Sequence, residues 1–225
     1  GRPDLVVADT TFKSLEILLG NADIANPVYL KMDTTTKPDS VRAADFNGDG
    51  LIDLATVNSS DGTVGFWFQK TDRSFGVPVS YPVGQGPLTC VIGDFNNDGR
   101  LDVTTANGLT TPLSVGLGLG DGSFTAPGVS FPTLQSRPVV ADFNRDGALD
   151  VVVLREDGKL LFRAGLGNGA FDSPEVINSH DEERVRDVTL VMSNGVAYLA
   201  TIYSQSDTAA FYTMIDGAFV RIARL

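Results

Sequence analysis

Residues 45–53 read DFNGDGLID, and two near-copies follow, DFNNDGRLD at 94–102 and DFNRDGALD at 142–150. The copies are separated by 94 − 45 = 49 and 142 − 94 = 48 residues. A second marker, a phenylalanine, recurs at nearly the same spacing, at Phe75, Phe124, Phe171 and Phe219. Because two independent markers share one period, the sequence predicts a chain built from repeats of about 48 residues.

Each repeat contains short apolar runs separated by Gly, Asp, Asn and Pro, a pattern that favours strands and turns over helices. In the repeat that holds the first loop, these runs are 40–44, 54–57, 64–68 and 77–83. Four short strands in a repeat of this length are typical of a β-propeller blade. The predicted fold class is therefore all-β, a propeller of four-stranded blades with about five repeats. We expect a segment of a larger propeller, with an imperfectly closed five-bladed ring as the alternative.

The repeats predict how the chain is divided. Residues 1–5 match residues 50–54, so the chain is expected to begin inside a loop of the same kind. Residues 188–203 read as two strands joined by a Ser-Asn-Gly turn, and no Asp-rich loop follows Asp187. We predict a single propeller domain or segment over 1–225, without a metal site in the last repeat. Its parts are a partial blade 1–39, blades 40–87, 88–136 and 137–184, and a degenerate blade 185–225.

The composition excludes several classes of protein. The 225 residues carry 17 Lys+Arg against 28 Asp+Glu, a net charge of −11, whereas nucleic acids and anionic membranes attract basic surfaces. One cysteine, Cys90, allows neither an internal disulfide nor a cysteine-based zinc site. One histidine, His180, allows no histidine cluster. No apolar run approaches the roughly 20 residues of a membrane helix, so we expect no membrane insertion.

The three loops carry the same oxygen-bearing residues at the same positions. Positions one, five and nine are Asp, position three is Asn and position six is Gly, whereas positions four and seven vary. Carboxylate, amide and backbone oxygens are the ligands of Ca²⁺, while Mg²⁺ is rarely enclosed by protein groups alone. An EF-hand would need Glu at position twelve, where this chain has Thr56, Thr105 and Val153. Simple hairpin turns remain the alternative, which three matching copies disfavour.

These loops and the turns that follow, GDGSFTAP at 120–127 and GNGAFDSP at 167–174, resemble the FG-GAP/VCBS repeat. That repeat forms the calcium-binding propeller of integrin α-subunits, some fungal lectins and many secreted bacterial proteins. The resemblance implies three Ca²⁺ sites, and it makes Asp4 the last ligand of an incomplete site. The implied ligands are Asp45, Asn47, Asp49, Leu51 and Asp53; Asp94, Asn96, Asp98, Arg100 and Asp102; and Asp142, Asn144, Asp146, Ala148 and Asp150, with position seven using its carbonyl.

The predicted function is a non-catalytic, extracellular calcium-binding propeller that acts as a binding or adhesion module for a glycan or a protein. Sites ligated by their own loops are typical of structural metals, and millimolar calcium is typical of the extracellular space. With a lone His and five Lys, a catalytic cluster is not expected, so the chain is predicted not to be an enzyme. The alternatives are a structural subunit and an accessory domain of a larger assembly or of a polysaccharide-active enzyme. Unpaired blade edges would favour association.

Four further residues lie outside the loops and carry expectations of their own. Trp67, aligned by sequence with Glu16, Gly116 and Arg163, is expected either to be exposed and to stack on a ligand or to pack against the neighbouring blade. Cys90 is expected to be a small buried residue and His180 a solvated loop residue. Asn58 begins the sequon Asn-Ser-Ser, which predicts glycosylation only in a eukaryotic host.

Overall fold

The computed structural model describes residues 3–20, 28–107, 112–125, 128–132, 138–155, 157–177, 184–204, 206 and 208–225. His180 and Pro127 lie outside these ranges. Within them the chain forms nineteen strands and no helix, so no helix of the described part could cross a membrane. The prediction of an all-β chain is confirmed.

The strands form five antiparallel sheets, in each of which they follow one another in chain order. The first sheet has three strands and the others have four, which confirms the predicted four-stranded sheets. The first sheet is β1 (Leu5–Asp9), β2 (Ser14–Leu19) and β3 (Val28–Asp33); the second is β4 (Ser40–Ala44), β5 (Asp53–Asn58), β6 (Thr63–Trp67) and β7 (Val79–Pro82); the third is β8 (Pro87–Gly93), β9 (Asp102–Asn107), β10 (Pro112–Gly116) and β11 (Gly128–Pro132); the fourth is β12 (Pro138–Ala141), β13 (Asp150–Leu154), β14 (Leu160–Arg163) and β15 (Glu175–Ile177); the fifth is β16 (Val185–Ser193), β17 (Val196–Tyr203), β18 (Ala209–Ile215) and β19 (Ala218–Arg224). The division into blades stays a prediction.

The strand that follows each Asp-rich loop is buried on both faces. All residues of β5, β9 and β13 are buried, because each of these strands lies inside its sheet and the sheet packs against neighbours on both sides. Their continuous apolar or Thr-rich sequences suit such a position. The position-nine aspartate is the first residue of each strand, so its side chain is carried into the interior with the rest of the strand.

The hydrophobic core is divided among the junctions between successive sheets. One cluster around Leu15 and Trp67 joins the first and second sheets, and another around Phe66 and Phe124 joins the second and third. Similar clusters join the third to the fourth sheet and the fourth to the fifth. The strands β4, β8, β12 and β16, each the first of its sheet, contact one another in sequence. The sheets are therefore arranged side by side, with the first strands of the second to fifth sheets in contact in chain order.

The two sequence markers meet at three of these junctions. The phenylalanine at loop position two packs on the marker phenylalanine of the following sheet. Ring centroids are 6.2 Å apart for Phe46 and Phe124 and 5.8 Å apart for Phe95 and Phe171. For Phe143 and Phe219 the distance is 5.5 Å. Each loop thus contributes to the core of the next repeat as well as its own.

Cys90 is fully buried in β8, as expected for a small core residue. Burial raises the pKa of its thiol to about 11. Since the thiolate is the reactive species, we predict that a thiol reagent at pH 8 labels native Cys90 at least about 100-fold more slowly than the unfolded chain. Mass spectrometry of labelling time courses with and without urea measures both rates. Equal rates would show that the thiol is accessible in the native protein.

Candidate metal centre

The three Asp-rich loops have the same internal hydrogen bonds, which hold positions one, three and five together. In the first loop Asp45 accepts the backbone N–H groups of Asp49 at 3.2 Å and Gly50 at 2.8 Å. The Asn47 amide donates to the Asp49 carboxylate at 3.0 Å, and that carboxylate also accepts the Leu51 N–H at 2.8 Å. The second and third loops repeat these bonds. Three oxygen-bearing side chains of each loop are therefore gathered at its tip.

The loop backbone depends on two left-handed positions. Position six has φ of +84° at Gly50, +83° at Gly99 and +90° at Gly147, which explains why it is glycine in every copy. Position four also has positive φ, although the sequence comparison suggested that it varies freely. Its φ is +59° at Asn97 and +63° at Arg145. Position four is thus conformationally restricted, and Arg145 occupies it with some strain.

The position-nine aspartates lie beneath the loop tips and bind backbone rather than pointing outwards. Asp53, fully buried, accepts the Phe46 N–H at 3.1 Å through one oxygen and the Gln69 N–H at 2.8 Å through the other. Asp102 and Asp150 make the equivalent bonds to their own repeats. Gln69 in turn forms an antiparallel β-bridge with the marker Phe75. The corresponding residues Gly118 and Gly165 form the same bridge with Phe124 and Phe171. Each of these carboxylates therefore connects the loop, the central strand and the marker turn.

Burial sets the electrostatics of these carboxyl groups. Desolvation raises the pKa of Asp53, an effect that its two backbone donors oppose and that the nearby charges of Asp45 and Asp49 increase. Desolvation likewise raises the pKa values of Asp102 and Asp150. At the exposed tip, the Asn96 amide lowers the pKa of Asp98.

The donor set of each loop fits a hard divalent cation. The side chains offer only oxygen to a metal, three of the four are carboxylates, and their charges are poorly compensated by protein. Among the described residues, the only ion pair of the nine loop aspartates joins Asp98 to Arg100, at 3.6 Å. The described residues contain no group of three or more carboxylate, imidazole or thiol side chains already arranged to hold a metal ion. The tip carboxylates accept hydrogen bonds from the backbone of their own loop. The candidate ligands are therefore close together, but their oxygens do not point at one common position.

Position seven has no common environment in the three loops. Leu51 is half-buried, Arg100 is exposed and Ala148 is buried, so their side chains share no role, as expected if only the carbonyl matters. The ligand assignments themselves stay predictions. Asp4 makes one of the two bonds of the position-nine aspartates, since it accepts the Gly20 N–H at 2.6 Å, but unlike them it is exposed.

Trp67 is buried, with 8% of its surface exposed, which is a correction to its predicted role as an exposed ligand-stacking residue. It packs with Leu15, Ile17 and Leu54, and its indole N–H donates to Thr56 Oγ1 at 3.2 Å. The alternative, packing against the neighbouring sheet, is confirmed. Its predicted alignment with Glu16 is also wrong. Trp67 pairs with Leu54 as Leu18 pairs with Leu5, so Leu18 is its counterpart in the first sheet.

Comparisons with known proteins agree with the repeat and the fold. The model of the FG-GAP-like repeat matches residues 45–105. A search of curated proteins finds no match. Among solved structures, a putative 6-phosphogluconolactonase from Bacteroides uniformis matches with a TM-score of 0.72 and 16% identity over 99% of this chain and 67% of its own. A periplasmic gluconolactonase from Pseudomonas aeruginosa and a protein from Lactobacillus plantarum each match with a TM-score of 0.63 and 17% identity over 100% of this chain and 67% of theirs.

The predicted non-catalytic binding or adhesion module is contradicted by these structural neighbours. Two of them carry the names of lactonases, so the architecture occurs in proteins named as enzymes, and the prediction that this chain is no enzyme loses the support of its fold. At 16–17% identity the likeness concerns the fold alone and assigns no substrate here. The resemblance that the sequence predicted is confirmed where the family model matches: residues 45–105 of this chain carry an FG-GAP-like repeat.

Proposed function

We propose that the chain is a calcium-stabilised β-propeller segment in which each of the three Asp-rich loops binds one Ca²⁺. The observation that carries the proposal is the identical arrangement of oxygen donors in all three loops, each of which carries more carboxylates than cationic groups. Position one, three and five side chains, the position-seven carbonyl and the position-nine carboxylate of each loop would hold the ion. The propeller assignment is supported by stacked antiparallel sheets whose first strands contact one another.

The metal would act by stabilising the fold. Every loop joins the first and second strands of its sheet and also packs its phenylalanine on the next sheet, so an ordered loop strengthens a junction. A cation would offset the repulsion among three carboxylates held within nine residues. Extracellular modules bind calcium at about 10⁻⁴ to 10⁻³ M, so we place the protein in a compartment with millimolar calcium. The proposal concerns how the fold is held and does not depend on what the assembled propeller acts on.

Calcium titration of single-loop variants tests this proposal. We expect the wild-type chain to bind three Ca²⁺ by isothermal titration calorimetry and Asp98→Asn to bind two. At a calcium concentration of about 100 times Kd, the loss of one site removes about 2.7 kcal/mol of calcium-dependent stabilisation. Urea unfolding in calcium and in EDTA measures this difference.

The matched control is Asp72→Asn, which makes the same charge change at an exposed turn outside the loops. It should keep three sites and the full response to calcium. The proposal fails if wild-type stability is the same in calcium and in EDTA, or if Asp72→Asn reduces the response as much as Asp98→Asn.

A further inference from the structure

The second and third Asp-rich loops, residues 94–102 and 142–150, are in contact across the junction of the third and fourth sheets. Leu149, at position eight of the third loop, packs on the hydrophobic cluster that contains Phe95, at position two of the second loop. Leu149 also covers Gly93, the residue before the second loop, since a Cβ added there would lie 2.5 Å from Leu149 Cδ1. One loop therefore forms part of the surface on which the other packs.

A marker turn makes a second connection between these loops. The turn that leads to the marker Phe171 is bound by the third loop, because Gly165 donates its N–H to Asp150 at 2.8 Å. The same turn is bound to the second loop, because the Gly169 N–H donates to the Phe95 carbonyl at 2.9 Å and Phe171 packs on the Phe95 ring. Both connections between the loops therefore end at Phe95.

The tips of the two loops differ from the base that joins them. At the tips, the exposed carboxylates of Asp98 and Asp146 accept backbone N–H groups of their own loops at 2.9 and 2.8 Å, so binding of a common ion requires a change at each tip. At the base, Phe95 is 2% exposed and Leu149 is half-buried. Ordering one tip also restricts the base, which lowers the entropic cost of ordering the loop packed against it.

We propose that calcium binding to the second and third loops is positively coupled, through the packing of Leu149 and of the Phe171 marker turn on Phe95. The coupling rests on the proposed function, since it concerns the regulation of the same sites. Coupling between two sites is reciprocal and amounts to about 5- to 150-fold in affinity. Occupancy of either loop therefore raises the affinity of the other, and the two loops fill over a narrow range of calcium concentration.

A site-resolved calcium titration of the full chain tests this coupling. Gly99 and Gly147, at position six, donate their N–H groups to the position-one aspartates of their own loops, so the NMR signals of ¹⁵N-glycine-labelled protein report on each loop separately. Asp146→Asn disables the third loop and should raise the calcium midpoint of Gly99 about 3-fold, the shift that a coupling factor of about 10 gives for two equal sites. Asp98→Asn should shift the midpoint of Gly147 in the same direction.

The charge change of Asp146→Asn does not by itself produce this shift. The three carboxylates of the empty third loop carry a charge of −3, which a bound Ca²⁺ changes to −1, whereas the carboxylates of the variant loop carry −2. Because −2 lies midway between the empty and filled states, the electrostatic effects on the second loop cancel to first order. A change in the Gly99 midpoint therefore reports on the contacts between the loops.

Two leucine variants test the location of the coupling. Leu149→Ala removes the side chain that packs on Phe95, and it should reduce the effect of Asp146→Asn on the Gly99 midpoint to less than about 2-fold. Leu166→Ala makes the same substitution in the marker turn, at a residue that is 55% exposed, and should leave the effect unchanged. The comparison of the wild-type chain with Asp146→Asn does not depend on either leucine variant.

The outcomes separate the coupling from the proposed function. If the wild-type chain fills both loops but Asp146→Asn leaves the Gly99 midpoint unchanged, the coupling is overturned and the proposed function stands. A full shift in the Leu149→Ala background would also overturn the proposal, because the coupling would then not pass through this contact. If the wild-type chain binds no calcium, the proposed function and the coupling both fail.

Discussion

Replacing Asp150 by alanine is expected to lower the free energy of unfolding by about 3–5 kcal/mol, even without calcium. The Asp150 carboxylate is fully buried and accepts the backbone N–H groups of Phe143 at 2.8 Å, Asn144 at 3.3 Å and Gly165 at 2.8 Å. Alanine would leave these donors without an acceptor in a site that excludes water. Urea unfolding in EDTA, followed by circular dichroism, measures the loss.

The control for this prediction is Asp146→Ala, in the same loop. Asp146 is exposed, and water can replace the bonds it accepts from Ala148 and Asn144. In EDTA this variant should lose less than about 1 kcal/mol. If Asp150→Ala destabilises the chain only when calcium is present, the carboxylate acts through the metal and not through the backbone.

The second large effect is expected for Phe66→Ala, which should cost about 3–5 kcal/mol. Phe66 is 1% exposed and stacks on Phe124 of the third sheet with ring centroids 4.2 Å apart. It also makes edge contacts with Phe46 and Tyr81 at 5.0 and 5.8 Å. Removing the ring therefore leaves a cavity at the junction of two sheets, and urea unfolding measures its cost.

Phe12 provides the matched control for this substitution. It is 70% exposed, and its described contact is with the Lys31 ammonium at 5.7 Å. Phe12→Ala should change the free energy of unfolding by less than about 1 kcal/mol. A double-mutant cycle between Phe66 and Phe124 should give a coupling of about 0.5–1.5 kcal/mol. Additive losses would mean that the stacked rings do not stabilise the junction.

The repeat made much of the fold predictable. Loops at 45–53, 94–102 and 142–150 fix the starts of β5, β9 and β13, and apolar runs on either side give the neighbouring strands. Nearest-neighbour sheets follow from this pattern because short connections favour antiparallel pairing of consecutive strands. The predicted alignment of Trp67 with Glu16 is wrong, although the sequence holds the correct one. Trp67 lies 67 − 53 = 14 residues after Asp53, and Leu18 lies 18 − 4 = 14 residues after Asp4.

The residues of the candidate site could be predicted from the sequence, but the different structural roles of its aspartates could not. An invariant Asp is expected at a ligand position and also where a buried carboxylate holds backbone N–H groups, and the sequence does not separate these roles. Position nine begins a strand without polar alternation, as in Asp150–Leu154, and this is the available signal that its side chain is buried. The restriction at position four was hidden by Arg145, because arginine, unlike glycine or asparagine, is no marker of left-handed backbone.

The contact between each loop phenylalanine and the marker of the following sheet has a consequence for how such chains change in evolution. Every junction of this kind is built from the same two parts, one supplied by each repeat. If one whole period were lost by recombination, Phe46 would meet the marker Phe171 in place of Phe124, and an equivalent junction would form again. A deletion of any other length would break the correspondence. The number of repeats can therefore change by whole repeats, while every junction between two neighbouring sheets keeps the same contact between two phenylalanines.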